Sequence, residues 1–355
     1  MSTPSPRRRA AASLLTLGPH RGAHRVAVRA GIAVLVPLLV LVVVGRVEWT
    51  PYAAFGAFAA LYGRNHGRAD RVGMQAVAGF FLVLSVTLGV VVAQIPESRW
   101  FIVLLGAVLA AAGSLTSDAY RWHPPGPIFL LFGFAVCGMI PASPGDVPIA
   151  LGVATASVLW SLVVSSIGAL RDPDPWVRPK APRPQFREAL AVPGSRAHLL
   201  RYVIALLVAG SIATAVGWEH PYWAMVAAVA VLSGPDRESR LNRSVHRVVG
   251  TLFGVGVAAV ILSIHPRDVW AVLFIVVLQS LTELFIGRNY ALALLFLTPL
   301  ALLMGQLAHD SPVGPLVRDR LFETVLGAIV AVVVLLLVPD VLRRGAAPTG
   351  TRGDH

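Results

Sequence analysis

The side chains that could do chemistry in this sequence are a few charged residues at the edges of long apolar segments. Arg240, Arg243 and Arg247 are spaced three and four residues apart, so on a helix they share one face. A similar basic set lies earlier in the chain, at Arg64, Arg68 and Arg71. Such a cationic surface concentrates anions electrostatically. The spacing predicts two basic mouths that attract anions, with determination of membrane topology as the alternative interpretation.

Two acidic residues, Asp118 and Glu283, lie within or beside apolar segments. An acidic side chain at the centre of a spanning helix costs roughly 2.5–3.5 kcal/mol, so each needs an explanation. Both occupy nearly equivalent places in two similar stretches of sequence. They are predicted to couple transport to protons or to gate a pathway, unless their positions near segment ends let them reach water. Glu323, which follows Asp319 and Arg320, is interpreted as part of a local charge cluster.

The remaining residue types argue against catalysis. A single cysteine, Cys137, excludes an internal disulfide framework and a thiolate metal cluster. A single lysine, Lys180, lies in a proline-rich stretch, so there is no phosphate-binding loop and no lysine Schiff base within a span. No Ser-His-Asp arrangement or metal-ligand spacing stands out. We therefore expect no enzyme activity, no catalytic residues, no metal and no cofactor.

These residues must be positioned by a chain that is mostly apolar. It has 355 residues, of which 56% are hydrophobic and 14% are charged. Apolar runs of about 18 residues, the length that crosses a hydrocarbon core about 30 Å thick, recur along nearly the whole sequence. Six such segments lie within residues 29–170 and six within 199–338. The sequence therefore predicts an all-α, polytopic bundle of transmembrane helices with about 12 spans.

Three polar segments flank or separate the two membrane halves. Residues 1–28 and 339–355 are predicted tails, and residues 171–198 are a linker too rich in proline and arginine to span the membrane. Basic residues cluster in these segments and in alternate loops. By the positive-inside rule, both termini and the linker are cytoplasmic. Topology thus accounts for the net charge of +12, and we expect no nucleic-acid partner.

An internal repeat relates the two halves. Trp49–Ala53 corresponds to Glu219–Trp223, and Ile95–Trp100 corresponds to Ile264–Trp270. Because each half has an even number of spans, both halves enter the membrane from the same side. The repeat is therefore parallel, with its axis along the membrane normal, and a substrate pathway is expected where the halves meet.

The second span of each half is unusually short and begins with proline. It runs for about 13 or 14 residues, or about 20 Å at 1.5 Å rise per residue. Matching short segments in two halves indicate a transport site, because irregular backbone at membrane depth must be buried or line a cavity. The alternative is an ordinary span extended by Val47–Trp49 or Gly217–Glu219. The predicted pathway residues are Pro51, Tyr52, Pro221, Tyr222 and Trp223.

Three stretches of the second half carry a family resemblance: His220–Ala224 in the short span, Arg247–Gly254 after the basic loop, and Asn289–Leu292 at the eleventh span. Gln75–Phe80 is a weaker copy in the first half. On these residues the sequence resembles the fusaric acid resistance protein-like family, a group of integral membrane exporters of aromatic acids. Two glycines inside the motif have the small-xxx-small spacing of helix packing: Gly250 and Gly254.

The resemblance implies a secondary transporter that exports aromatic or other small carboxylic acids across the bacterial inner membrane. Its expected partners are a small organic anion and the lipid bilayer, and a homo-oligomer is left open. Two alternatives remain: an anion channel, and a membrane scaffold for envelope assembly that transports nothing.

Overall fold

A computed structural model of the chain describes residues 13–20, 22–64, 66–167, 183–309 and 311–339. The regular elements within these ranges are helices. Nine helices of the described ranges are long and apolar enough to cross a membrane, which confirms the prediction of a multi-pass, all-α membrane protein. Residues 171–182 of the predicted linker lie outside the described residues, as do residues 1–12 and 21 of the first predicted tail and residues 340–355 of the second.

The helices are labelled in chain order. Those of the first half are α1 (Ala23–Val43), α2 (Thr50–Ala57), α3 (Arg68–Val92), α4 (Ser98–Ala119), α5 (Ile128–Met139) and α6 (Asp146–Ile167). Those of the second half are α7 (Ser195–Val216), α8 (Tyr222–Leu232), α9 (Arg237–Ser263), α10 (Asp268–Phe285), α11 (Tyr290–Ala308) and α12 (Val313–Leu337). Short 3-10 helices, Val47–Trp49 and Phe58–Leu61, flank α2, and a short α-helix, Phe186–Ala191, precedes α7.

Local sequence explains where several helices begin and end. The Asp236 carboxylate precedes α9 and accepts a hydrogen bond from the Ser239 backbone N–H at 2.8 Å. This bond and a second one from the Ser239 hydroxyl lower the pKa of Asp236. Asn289 caps α11 in the same way by accepting from the Leu292 N–H at 3.0 Å. Helix α7 ends at Gly217, whose φ of 83° is a left-handed conformation that favours glycine.

Corresponding helices of the two halves pack in corresponding ways. Helix α3 packs against α5 and α6, and α9 packs against α11 and α12. Helix α2 contacts α6, and α8 contacts α12. Two further contacts cross between the halves, because α1 lies against α10 and α7 lies against α4. The first helix of each half therefore packs against the other half.

The N-terminal segment, residues 13–18, binds to the second half. The Asn289 side-chain N–H groups donate to the carbonyl oxygens of Leu14 at 2.7 Å and Thr16 at 3.1 Å. The carbonyl of Arg288 accepts a hydrogen bond from the last backbone N–H of the segment at 2.9 Å. The beginning of the chain is thus attached to the loop between α10 and α11.

The two motif glycines lie where α9 crosses α11. A Cβ atom at Gly250 would lie 2.6 Å from the carbonyl oxygen of Ala291, and one at Gly254 would lie 2.6 Å from that of Leu294. Side-chain carbons do not approach a backbone oxygen so closely. Glycine at these positions therefore lets the two helices touch.

We predict that Gly254→Ala destabilises the protein by about 1–3 kcal/mol, because the added methyl group overlaps the backbone of α11. Gly256→Ala on the same helix is the matched control, since its added Cβ would have nothing within 4 Å. That variant should be neutral or more stable by up to about 1 kcal/mol. Thermal or denaturant unfolding of the detergent-purified variants measures the difference. Equal stability of the two variants would show that the α9–α11 contact is loose.

Candidate substrate pathway

A cavity of about 540 Å³ lies between the two halves. Its walls come from α2, α5, α8 and α11, with contributions from α9, α10 and α12. Helix α11 borders the cavity from its first residue, Tyr290, to its last, Ala308. The cavity therefore runs through most of the depth of the bundle. Its two ends are named here by their arginines, the Arg247 end and the Arg320 end.

The two short helices border this cavity and are buried along their whole length. Helix α8 has 11 residues, about 16 Å at 1.5 Å rise per residue, against about 30 Å for a hydrocarbon core. Gly217–Glu219 are not helical, so the interpretation of an ordinary span extended by them is wrong. In the first half Val47–Trp49 do form a 3-10 helix that continues into α2.

The predicted pathway residues divide into two groups. Pro51, Tyr222 and Trp223 border the cavity. Tyr52 and Pro221 are buried, but they are not among the residues that line it. Consecutive residues on a helix point about 100° apart, so a continuous run cannot face one cavity. A role in transport for the three lining residues stays a prediction.

Arginines at the Arg247 end hydrogen-bond to the last carbonyl groups of α8 and the turn after it. Arg243 Nε donates to the Ala230 carbonyl at 3.0 Å, and Arg240 Nε donates to the Gly234 carbonyl at 2.9 Å. A helix C-terminus carries unpaired carbonyls and a partial negative charge, which guanidinium groups stabilise. Arg240 is directed at this backbone and does not line the cavity, unlike Arg243 and Arg247. Of the three arginines in this predicted mouth, Arg243 and Arg247 therefore line the cavity and Arg240 does not.

Other side chains donate hydrogen bonds to the carbonyl groups of the 3-10 helix and turn that follow α2. Gln75 Nε2 donates to the carbonyl of Tyr62 at 3.0 Å and to that of Ala60 at 3.3 Å. Arg29 Nε donates to the same Ala60 carbonyl at 3.2 Å. These bonds satisfy carbonyl groups that the short helix would otherwise leave unpaired inside the membrane.

The arginines of the other predicted mouth, Arg64, Arg68 and Arg71, are also placed differently from one another. Arg64 lines the cavity. Arg71 donates a hydrogen bond to the Ser165 carbonyl on α6 at 3.4 Å and is not among the lining residues. Arg68 is the first residue of α3, and its side chain lies outside the described part of the structure. The placement thus leaves Arg64 as the member of this set that faces the pathway within the described residues.

Arg247 and Arg243 converge on Tyr290 at the cavity wall. Arg247 Nη1 donates to the Tyr290 hydroxyl at 3.1 Å, and the Arg243 guanidinium lies over the Tyr290 ring, 4.4 Å from its centroid. The Arg247 side chain is 1% exposed, and its Nε has no hydrogen-bond partner within the described ranges. Guanidinium N–H groups bind carboxylates in pairs. This cluster can therefore hold a carboxylate that enters the cavity.

The two predicted coupling acids occupy different environments. Glu283 is 5% exposed, lines the cavity and forms an ion pair with Arg64 across the interface between the halves. Asp118 is exposed in the last turn of α4 and is not among the cavity residues. Glu283 is therefore placed to gate the cavity, whereas Asp118 lies away from it. Among the described residues, no three His, Cys, Asp or Glu side chains lie together as a metal site requires.

The Arg320 end holds residues whose place the sequence did not reveal. The Arg320 guanidinium lies over the Trp223 ring, 3.6 Å from its centroid, and both residues line the cavity. His220 lines it as well, and burial lowers the pKa of His220, so the imidazole is largely neutral at pH 7. Proximity in sequence grouped Arg320 with its acidic neighbours, but its partner ring lies on α8, almost a hundred residues earlier. Spacing alone could not have shown this contact.

Residues 207–334 form the helices that carry Trp223, Arg247, Glu283 and Arg320. They match the fusaric acid resistance protein-like family. The second half therefore resembles this family. The chain is also 35% identical over 140 residues to the uncharacterized membrane protein YvaC of Bacillus subtilis (strain 168), an alignment that covers 39% of the chain.

The same alignment covers 22% of the Bacillus protein, so the chain spans about a fifth of that relative's length. No solved structure matches the chain. The family resemblance predicted from His220–Ala224 and Arg247–Gly254 is therefore confirmed over residues 207–334, which contain both motifs.

Glu283→Gln should destabilise the protein by about 1–3 kcal/mol, because it leaves the guanidinium of Arg64 without its anionic partner. Asp118→Asn is the matched control, and as an exposed substitution it should change stability by less than about 0.5 kcal/mol. The double variant Arg64→Met with Glu283→Gln should recover part of the loss, since no unpaired charge remains. Unfolding midpoints of the detergent-purified variants give the comparison. A loss for Asp118→Asn as large as that for Glu283→Gln would contradict it.

Proposed function

We propose that the protein is a secondary transporter that exports small organic anions, aromatic carboxylates in particular, across the bacterial inner membrane. The observation that carries the proposal is the cavity between the halves, which combines aromatic walls with arginines at both of its ends. The match of the second half to the fusaric acid resistance protein-like family supports a transport role. The proposal includes neither an enzyme activity nor a cofactor.

The cavity wall offers ring surfaces to an aromatic ligand. The Phe132 ring centroid lies 4.9 Å from that of Trp223 and 5.1 Å from that of Phe55. The rings of Phe58 and Phe129 lie 5.4 Å apart. These spacings are those of favourable aromatic pairs. A flat ring that enters the cavity can therefore pack against these side chains, whereas a strongly hydrated solute would lose its water without compensation.

The charges on the described cavity wall favour an anion. Apart from histidines and tyrosines, its ionisable residues comprise four arginines and one acid: Arg64, Arg243, Arg247, Arg320 and Glu283. The acid is paired with Arg64, which leaves three guanidinium groups without a carboxylate partner on the described wall. A cationic cleft with apolar walls focuses its field and raises the local concentration of anions.

The helix packing supports the proposal of a parallel repeat of six spans. Most pairs of helices that pack together in one half have a counterpart in the other. The contact of α1 with α10 likewise has its counterpart in the contact of α7 with α4. Helices α2, α5 and α8 are shorter than the others. Counted with the nine long helices of the described ranges, they give the proposed twelve spans. Burial of α2 and α8 inside protein makes their short length tolerable.

The proposed orientation places the Arg247 end in the cytoplasm, because basic loop residues gather there. Both termini are then cytoplasmic as well. Export carries the anion from the Arg247 end to the Arg320 end. A monoanion that leaves a negative interior gains about 2.3 kcal/mol per 100 mV, so the membrane potential favours this direction.

We expect proteoliposomes loaded with benzoate to release it with saturable kinetics under an inside-negative potential. Arg247→Gln should slow the initial release roughly tenfold or more, because a hydrogen bond to a charged group contributes roughly 1.5–3 kcal/mol. Arg237→Gln should release benzoate at the wild-type rate, since Arg237 is exposed on the same helix and does not line the cavity. Benzamide, the neutral analogue, should not compete.

Other outcomes of this experiment favour the alternatives. A current that grows in proportion to voltage and never saturates with benzoate would favour an anion channel. Absence of flux for benzoate and for other carboxylic acids, together with stable protein partners in a pull-down, would favour a scaffold. Equal rates for Arg247→Gln and Arg237→Gln would remove the cavity from the pathway.

A further inference from the structure

Arg320 is a buried cation whose hydrogen-bonding groups are not used. Its side chain is 1% exposed, and its Nε and Nη1 atoms have no hydrogen-bond partner within the described ranges. The guanidinium stacks on Trp223 and borders the cavity. A guanidinium left in this state inside a protein is costly unless a ligand supplies acceptors. A carboxylate has two acceptor oxygens in the geometry that a guanidinium prefers.

Glu323 lies one turn further along α12 and is 0% exposed. Neither of its carboxylate oxygens has a hydrogen-bond partner among the described residues. It does not reach Arg320 closely enough to form an ion pair, although the two charges interact electrostatically. Burial disfavours the charged form of this acid, while the charge of Arg320 and the nearby backbone N–H of His220 favour it. It is therefore a group that can take up a proton when the local charge changes.

The charged and titratable neighbours of Glu323 come from three helices. On α12 itself they are Arg320 and Asp319, and Asp319 already pairs with Arg318 at 3.0 Å. Around the beginning of α8 they are the Tyr222 hydroxyl and His220, whose backbone N–H is directed at Glu323. From α9, Arg247 acts on Arg320. The tyrosine and the histidine are neutral near pH 7, so the net charge around this place depends on Arg320 and Glu323.

We propose that Arg320 is a second carboxylate-binding group of the cavity, beside Trp223 and within electrostatic reach of Arg247, and that a carboxylate binds there together with a proton on Glu323. When Glu323 is ionised in the empty site, its negative charge balances Arg320. With a carboxylate on Arg320, two negative charges would share one cation in a buried place. The proton comes from water and remains on the Glu323 carboxyl group while the anion is bound.

This inference rests on the proposed function, because the ligand is the carboxylate that the transporter would carry. It adds a protonation step: the loaded site gains one anion and one proton, and Glu323 returns the proton to the same side when the anion leaves, so the anion alone crosses the membrane. Affinity at this site should fall as pH rises. Once Glu323 is ionised in the empty site, each further pH unit should weaken binding by up to tenfold, the limit for one linked proton.

Benzoate binding to the purified full-length protein in lipid nanodiscs tests the inference without transport. Isothermal titration calorimetry between pH 5.5 and 8.5, in buffers of different ionisation enthalpy, gives the affinity and the number of protons taken up. For the wild type we expect affinity to fall with pH and uptake to approach one proton per benzoate. Glu323→Gln should bind with an affinity that does not change with pH and should take up no proton.

Two further variants separate the site from its surroundings. Asp319→Asn, which changes the neighbouring acid, should keep the proton uptake. Arg320→Gln should weaken benzoate binding at least tenfold. Proton uptake that survives in Glu323→Gln, or that disappears in Glu283→Gln instead, would assign the coupling elsewhere and overturn the inference.

The wild type alone keeps the test decisive if the Glu323 variant does not fold. Benzoate binding by the wild type without proton uptake and without pH dependence overturns the proton link and leaves the proposed function standing. Absence of benzoate binding at every pH overturns both. Unchanged affinity in a folded Arg320→Gln variant overturns the site.

Discussion

Two helices that are too short for the bilayer impose the main constraint on this structure. A helix that ends at membrane depth leaves carbonyl groups unpaired where water cannot serve them. Here the ends of α2 and α8 lie inside the bundle, and side chains from neighbouring helices provide the missing donors. The equivalent carbonyls of Ala60 and Ala230 receive bonds from Gln75 in one half and from Arg243 in the other. Burial of the short helices, not their own length, makes them stable.

This constraint also explains why basic residues gather at one end of the cavity. Part of the positive charge stabilises helix termini, as Arg240 does at Gly234. The remainder, including Arg247, faces the cavity. The two halves differ in this respect, because Gln75 shares the Ala60 carbonyl with Arg29 in the first half, whereas Arg243 donates to Ala230 in the second. Three of the four arginines on the described cavity wall belong to the second half, so the cavity is most cationic on that side.

The sequence predicted the helices well and their contacts poorly. An apolar run at 289–307 becomes α11, Tyr290–Ala308, because a hydrophobic segment of that length has few other options in lipid. Which side of a helix faces a cavity depends on the helices around it. For this reason Tyr52 was predicted to line the pathway, but it is buried against neighbouring helices and does not line the cavity. Pairs such as Arg64 with Glu283 join residues more than two hundred positions apart. No local spacing encodes such a pair, and similar positions in the repeat gave Asp118 the same weight as Glu283.

The attachment of the N-terminal segment to Asn289 bears on how the protein is made. Leu14 and its partner are 275 residues apart, which corresponds to roughly 14–55 s of synthesis at about 5–20 residues per second. Helix α1 likewise packs against α10, which is synthesised after nearly the same interval. The first half therefore stays in the membrane with one side uncovered until the second half has been inserted. Loss of either contact would lengthen the time during which quality-control proteases can degrade the incomplete bundle. Its first effect would therefore be a lower amount of protein in the cell.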